Sequence, residues 1–399
     1  MIGWKDYKLG DLVEIGRGAS PRPIKNYVTD KPGIPWVKIA DATKSINKYI
    51  ERTDEYIIKE GRRKTVYPGE LIVSNSATPG IPKLMKIEAC VHDGWLVFDE
   101  YKNIEKLYLY YFFLDYRRVL AHSASGTVFK NLTTEIVKNV SINLPPLSEQ
   151  KAIAKVLTAF DDKIELLQEQ NRTLETMAQT IFNEWFGKYQ IGDELPEGWK
   201  FSPFYSIAKY INGAAFKSQD FSKEKIGLPI VKIAELKNGI TDSTAFSKKV
   251  VDSKYQIDNG DILFSWSGSP ETSIDIFLWT SGKALLNQHT FNVKVEEINE
   301  KAWVYFLLKH NKTLFIHLAK MKQTTGLGHV TISDLKDNLF LLPPKDVIKQ
   351  FNKVFNGFLD KIEINQNQIQ SLTKTRDTLL PKLMSGQVRV NNTKHTADA

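Results

Sequence analysis

The sequence predicts an α+β protein. It should hold two similar domains, each on a mixed or antiparallel sheet, separated by two long helices that form an antiparallel intramolecular coiled coil with pseudo-two-fold internal repeat. Three observations predict this. The chain repeats itself at a spacing near ~195 residues. Each repeat opens with short β-rich runs punctuated by Gly, Pro and Ser, and each ends in a Gly-poor stretch whose apolar residues step at three and four.

The repeat is legible in short matches. Gly3-Trp4-Lys5 returns as Gly198-Trp199-Lys200, Leu144-Pro145-Pro146 as Leu342-Pro343-Pro344, and Asp162-Lys163-Ile164-Glu165 as Asp360-Lys361-Ile362-Glu363. The offset drifts before Leu144 and is constant after it. Insertions collect in loops, so the drifting part is a loop-rich domain and the constant part a packed helix. The expected boundaries are a first domain at 1–145, a helix at 146–190, a second domain at 191–342, a helix at 343–390 and a flexible tail at 391–399.

In the first domain 36–40, 70–74 and 94–98 read as strands and 107–120 as a helix. Their counterparts are 230–234, 261–265, 290–295 and a helix at 302–319. The first long helix carries a seam of Leu157, Phe160, Ile164, Leu167, Leu174 and Ile181, interrupted by Asn171. The second carries Phe355, Phe358, Ile362, Ile369, Leu372 and Leu379, interrupted by Asn365. In heptad terms Asn171 is an a residue and Asn365 a d residue, so in an antiparallel pair they face one another and fix register. Ser148 and Asp346 are candidate N-caps, and Pro381 should bend or end the second helix.

Composition narrows function. The chain has 399 residues, a formal charge of +8 and a single cysteine, Cys90. That excludes an intramolecular disulfide and a cysteine zinc site. No apolar run approaches the ~20 residues needed to span a bilayer, so a soluble, cytoplasmic protein is expected. The seven histidines are scattered, with no metal-ligand spacing, and there is no P-loop or nucleophile elbow. Asp220 with Glu235-Leu236-Lys237 imitates a nuclease pattern, yet the first repeat reads Asp41-Ala42-Thr43 there. No catalytic residue and no metal ligand is assigned, which points to a binding protein.

DNA is the expected ligand. Polar and basic residues recur in matching loops, where they could meet phosphates and base edges. In the first domain these are Arg17, Arg22, Lys25, Lys38, Ser74, Asn75, Ser76, Ser125, Thr127 and Lys130. In the second they are Lys217, Lys232, Trp266, Ser267, Gln288, His289, Thr324, Thr325 and His329. Residues 1–145 carry a net +5 and residues 191–342 only +1, with no arginine in the latter. The commonest specific contact, arginine on guanine, is therefore absent from the second domain, which predicts an A·T-leaning or lysine-read half-site.

Leu144-Pro145-Pro146-Leu147-Ser148-Glu149-Gln150, Leu195-Pro196-Glu197-Gly198-Trp199 and Leu379-Leu380-Pro381-Lys382-Leu383-Met384-Ser385-Gly386, together with the duplication, resemble the specificity subunit of type I restriction–modification enzymes. The resemblance implies two target-recognition domains, each reading one half of a bipartite site in double-stranded DNA. It implies that two DNA-methyltransferase subunits dock on the helices and that motor-endonuclease subunits join them. The chain itself would be non-catalytic and would bind no cofactor, with S-adenosylmethionine, ATP and Mg on the partners. The alternative is a stand-alone two-domain DNA-binding regulator.

Overall fold

A computed structural model describes residues 3–45, 47–122, 131–296, 300–324 and 326–390. Contacts divide them into two compact units. One holds the residues up to Glu165 and from Leu372 on; the other runs from Leu166 to Ser371.

In the first unit, Lys5–Lys8 pairs antiparallel with Ser141–Leu144, so the two ends of the domain close on one another. One sheet has the order Glu14–Arg17, Trp95–Asp99, Leu71–Ser74, Pro82–Met85, Tyr49–Ile50. A second has the order Val28–Thr29, Glu55–Ile57, Ile34–Val37, Ala89–Val91, Thr65–Val66, with Trp36 and Val37 parallel to Cys90 and Val91. Strand alternation explains why the first sheet is buried on both faces. Ile72 and Val97 face Val37, Val66 and Val91 of the second sheet. Leu71, Val73, Leu96 and Phe98 face the helix Lys106–His122 and the long-helix residues Ile153, Leu157, Leu380 and Leu383.

The second unit repeats this plan. Lys200–Pro203 pairs with Leu339–Leu342. One sheet runs Lys209–Asn212, Thr290–Lys294, Ile262–Ser265, Asp275–Leu278; the other runs Phe246–Ser247, Leu228–Val231, Ala284–Leu286, Gln256–Ile257. Ile230 and Val231 are again parallel to Leu285 and Leu286.

Two predicted strands are shorter than expected. The runs at 36–40 and 230–234 leave the sheet at Val37 and Val231 and become the short helices Ile39–Lys44 and Ile233–Asn238. The reason is local. Asp41 accepts the Lys38 backbone N–H at 2.6 Å, and Glu235 accepts that of Lys232 at 3.0 Å, so each carboxylate caps a helix start. Glu14–Arg17 adds a further strand. The helix expected at 302–319 is two, Lys301–His310 and Lys312–Met321, parted at Asn311, whose side-chain amide donates to the Leu307 carbonyl at 2.9 Å.

The long helices span Leu147–Phe186 and Lys345–Met384. Ser148 and Asp346 lie inside their first turns rather than at the caps; the preceding Pro146 and Pro344 carbonyls already accept the first N–H bonds. Pro381 sits within the last turn, and the helix ends at Met384. Where expected, Asn365 donates to Asn171 Oδ1 at 2.8 Å, with Asn365 fully buried. Leu157, Ile164, Leu167, Phe355 and Ile362 are buried as a seam requires.

Toward the helix ends the expected seam is corrected. Phe160, Leu174, Ile369 and Leu372 are half-buried, as are Ile181, Phe358 and Leu379, whose neighbours Phe182, Leu359 and Leu380 take the buried places. Ala178, Phe182 and Phe186 step by four, as do Phe351, Phe355 and Leu359. A straight helix drifts ~20° per heptad from a 3.5 repeat, and here the drift turns the apolar face onto the domain core. Phe351 and Phe355 stack at 3.9 Å, and Phe351 meets Phe182 edge-on at 5.6 Å.

Each unit also fastens its domain to helix residues through a buried tyrosine. In the first, Tyr111 donates to Asp161 Oδ2 at 2.6 Å, and Arg376 Nη1 donates to Asp161 Oδ1 at 2.7 Å. In the second, Tyr305 donates to Glu175 at 3.0 Å. Burial works against the Arg376 charge, but Asp161 and Asp377 outweigh it and hold the guanidinium protonated. Asp161→Ala should cost about 3 kcal/mol, because it removes the buried carboxylate that pairs with Arg376 Nη1 and accepts from Tyr111, leaving Asp377 alone on the guanidinium. Asp161→Leu with Arg376→Met should recover most of that. Urea midpoints at unchanged m-value read both; a single variant within ~0.5 kcal/mol of the parent contradicts the assignment.

Candidate nucleic-acid interface

At one end of the first domain three connections meet: the one after Arg17, the one after Ser74 and the one before Trp95. They are held by backbone. Ala19 N–H donates to the Val91 carbonyl at 3.0 Å, Gly18 N–H to Trp95 at 2.9 Å, and Asn75 N–H to Gly94 at 2.8 Å. Gly18 passes so near the His92 carbonyl that a Cβ would lie 2.0 Å from its oxygen.

Side chains converge on Asp93. Arg17 Nε donates to its carbonyl at 2.8 Å, as does Asn75 Nδ2 at 3.1 Å. Ser20 donates to its carboxylate at 2.7 Å, and Arg22 Nη2 stands 3.8 Å away. The Ser20 hydrogen bond leads in holding the Asp93 carboxyl below its ordinary range. Beside it a groove is lined by Ser20, Arg22, Pro23, Lys25, Trp36 and His92. Burial lowers the affinity of His92 for a proton.

The second domain builds the same frame. Ala214 N–H donates to Leu286 at 2.8 Å and Gly213 N–H to Thr290 at 3.1 Å. A Cβ on Gly213 would lie 2.2 Å from the Asn287 oxygen. Strand register makes the equivalence residue by residue. Trp95 opposes Ser74 and Leu96 opposes Arg17, as Thr290 opposes Ser265 and Phe291 opposes Asn212. Arg17 thus corresponds to Asn212, Asn75 to Trp266, Ser76 to Ser267, Asp93 to Gln288 and Gly94 to His289.

The side chains on the second frame differ. Trp266 stacks on Phe291 at 5.5 Å and donates from Nε1 to Asn212 Oδ1 at 3.0 Å. His289 tilts against Trp266 at 5.8 Å, with Gln288 Nε2 3.3 Å from its Nε2. Ser267 pairs across strands with His329. Thr324 closes the preceding turn through mutual backbone bonds with Leu327 at 3.0 Å.

Of the residues expected at the DNA, the structure gathers Arg17, Arg22, Lys25 and Ser76 in the first domain, and Trp266, Ser267, Gln288, His289 and His329 in the second. Two are corrected. Ser74 is fully buried; its hydroxyl donates to the Thr78 carbonyl and accepts the Ile81 N–H at 2.8 Å. Asn75 is buried in the frame. Both shape the loop rather than face a ligand. Lys38 is engaged by Glu55, Lys232 lies over the Phe221 ring at 4.9 Å, and the backbone N–H of Lys217 is held by Asp220 at 2.9 Å. Ser125, Thr127, Lys130 and Thr325 lie outside the described residues, as does the tail at 391–399.

The nuclease imitation is accounted for structurally. Glu235 is a buried cap, Lys237 donates to the Thr272 carbonyl, and Asp220 pairs with Lys249 at 3.0 Å. Among the described residues no group of three or more His, Cys, Asp or Glu is placed to hold a metal, and no helix is long and apolar enough to cross a membrane. Asp93, Asn212 and Trp36 belong to these loop ends but were not among the expected residues. The signal for Asp93 was the repeat itself, since its counterpart Gln288 was selected.

Comparison with known proteins agrees with the duplicated architecture. The model of the type I restriction modification DNA specificity domain matches residues 1–176 and again 196–374. The type I restriction enzyme MjaIX specificity subunit of Methanocaldococcus jannaschii is 27% identical, over 97% of this chain and 94% of its own. The HindI specificity subunit of Haemophilus influenzae is 22% identical, over 97% and 100%. A crystal structure of the type I restriction–modification S subunit from M. genitalium shares the fold, with a TM-score of 0.54 at 16% identity and 96% of each chain covered. With the family model matched twice, once on each half of the repeat, the chain belongs to the type I restriction–modification DNA specificity family.

Proposed function

We propose that this chain is the DNA-recognition subunit of a type I restriction–modification complex, in which each domain reads one half of a bipartite double-stranded site. The observation that carries the reading is one backbone frame built twice in one chain, bearing different side chains at equivalent places. Two like frames with unlike heads suit a site of two different half-sequences. The long helices then set the separation of the halves and offer docking surfaces to two methyltransferase subunits that modify adenine. Motor-endonuclease subunits join for cleavage. S-adenosylmethionine, ATP and Mg belong to those partners, and this chain performs no chemistry.

Charge supports a need for the assembly. The first domain carries +5, the second +1, and the first helix region at 146–190 carries −2. Binding by bulk charge is weak at such values, so the isolated chain should bind DNA feebly, with a shallow salt slope. A tight gel shift by the chain alone would instead favour a free-standing regulator.

Methylome sequencing of cells expressing this chain with a modification subunit tests the proposal: it should return a two-part motif with an unread gap, and a contiguous motif would contradict it. Helix length is a second handle. Inserting one heptad into each long helix should lengthen the gap and leave the bases read unchanged. The same methylome measurement checks it, and altered half-site bases would refute the ruler.

A further inference from the structure

We propose that positions 93 and 288 are the matching base-reading positions of the two domains, Asp93 with Arg22 selecting a G·C pair and Gln288 an A·T pair. The inference rests on the functional reading above and adds to it which pair each frame prefers.

The two positions are equivalent by strand register, since each lies two residues before a frame strand partner, Trp95 or Thr290. The chemistry at the two places is opposite in kind. Asp93 is an acceptor. One carboxylate oxygen takes the Ser20 hydroxyl at 2.7 Å, and the other stands 3.8 Å from Arg22 Nη2. That gap exceeds hydrogen-bond length, so the pair is not closed on itself. The Arg22 side chain is 85% exposed and that of Asp93 43%. A cationic fork beside an acceptor matches the major-groove edge of G·C, where guanine O6 and N7 accept and cytosine N4 donates. The Ser20 hydrogen bond favours the ionised, acceptor-only carboxylate.

Gln288 presents a donor and an acceptor on one amide, the pattern that meets adenine N6 and N7. Asn212, at the place of Arg17, is a second amide on the same frame, and residues 191–342 offer no arginine to compete. The common crossing places the two side chains at equivalent positions of the two frames.

The test exchanges the two residues in the full chain, assembled with its methyltransferase subunits. Asp93→Gln should change the preferred base pair at one position of one half-site, by roughly tenfold or more in competition binding against substituted duplexes. Gln288→Asp should do so in the other half. Each variant should leave the opposite half untouched in the methylome motif. Uniform weakening across all sequences with an unchanged motif would overturn the assignment and make both residues backbone-positioning groups. If Asp93→Gln fails to assemble, Arg22→Gln, exposed on the same frame, tests the G·C half in its place: a changed base preference there supports the assignment and an unchanged motif overturns it. A parent complex that yields no two-part motif sinks the functional reading; a parent that yields one, with both variants retaining it, sinks only this inference.

Discussion

The loop end of each domain, where the strand connections meet, depends on one close backbone approach. At Gly18 and Gly213 the chain leaves its strand and passes against the carbonyl of His92 or Asn287, with no room for a Cβ. That contact fixes the connection after Arg17 or Asn212 against the one before Trp95 or Thr290. Only glycine permits it, and with a side chain at either place the two loops would part. On one frame this crossing positions Asp93 beside Ser20 and Arg22, and on the other Gln288 beside His289.

Below the crossing the fold is a problem of double burial. The central sheet of each domain is covered on one face by a second small sheet and on the other by a domain helix and long-helix residues. This is why Leu71–Ser74 and Ile262–Ser265 are buried at every position. It also explains why the long helices do more than pair with one another. Within each unit they supply core residues, and a tyrosine–carboxylate bond from the domain fixes their rotation. Asn171 and Asn365 then set the register by a single pair of amides.

Much of this was legible in the sequence. Repetition exposed the duplication, and a Pro- and Gly-poor stretch exposed the first long helix. The heptad phase placed Asn171 opposite Asn365. What was not legible had tertiary causes. Helix starts at Lys38 and Lys232 came from carboxylate caps three residues on, inside runs that look like continuing strands. Phe182, Leu359 and Leu380 replaced the expected seam residues because a domain core joins the other long helix against the apolar face at the helix ends. Ser74 and Asn75 carry the polar chemistry of a DNA contact, but their hydrogen bonds are used inside the loop. Asp93 is not legible as a site residue because an acid carries no charge that attracts phosphate, although its carbonyl and carboxylate accept the groups that organise its end of the domain.

The central claim is that two like frames in one chain address two different stretches of DNA. Photo-crosslinking tests it most directly, with a photoreactive residue placed at 93 or at 288 in the assembled complex on duplex DNA. The account predicts that each position crosslinks to bases of a different half-site, with the gap between them unlabelled. Crosslinks from both positions to the same half, or from neither to any base, would contradict it.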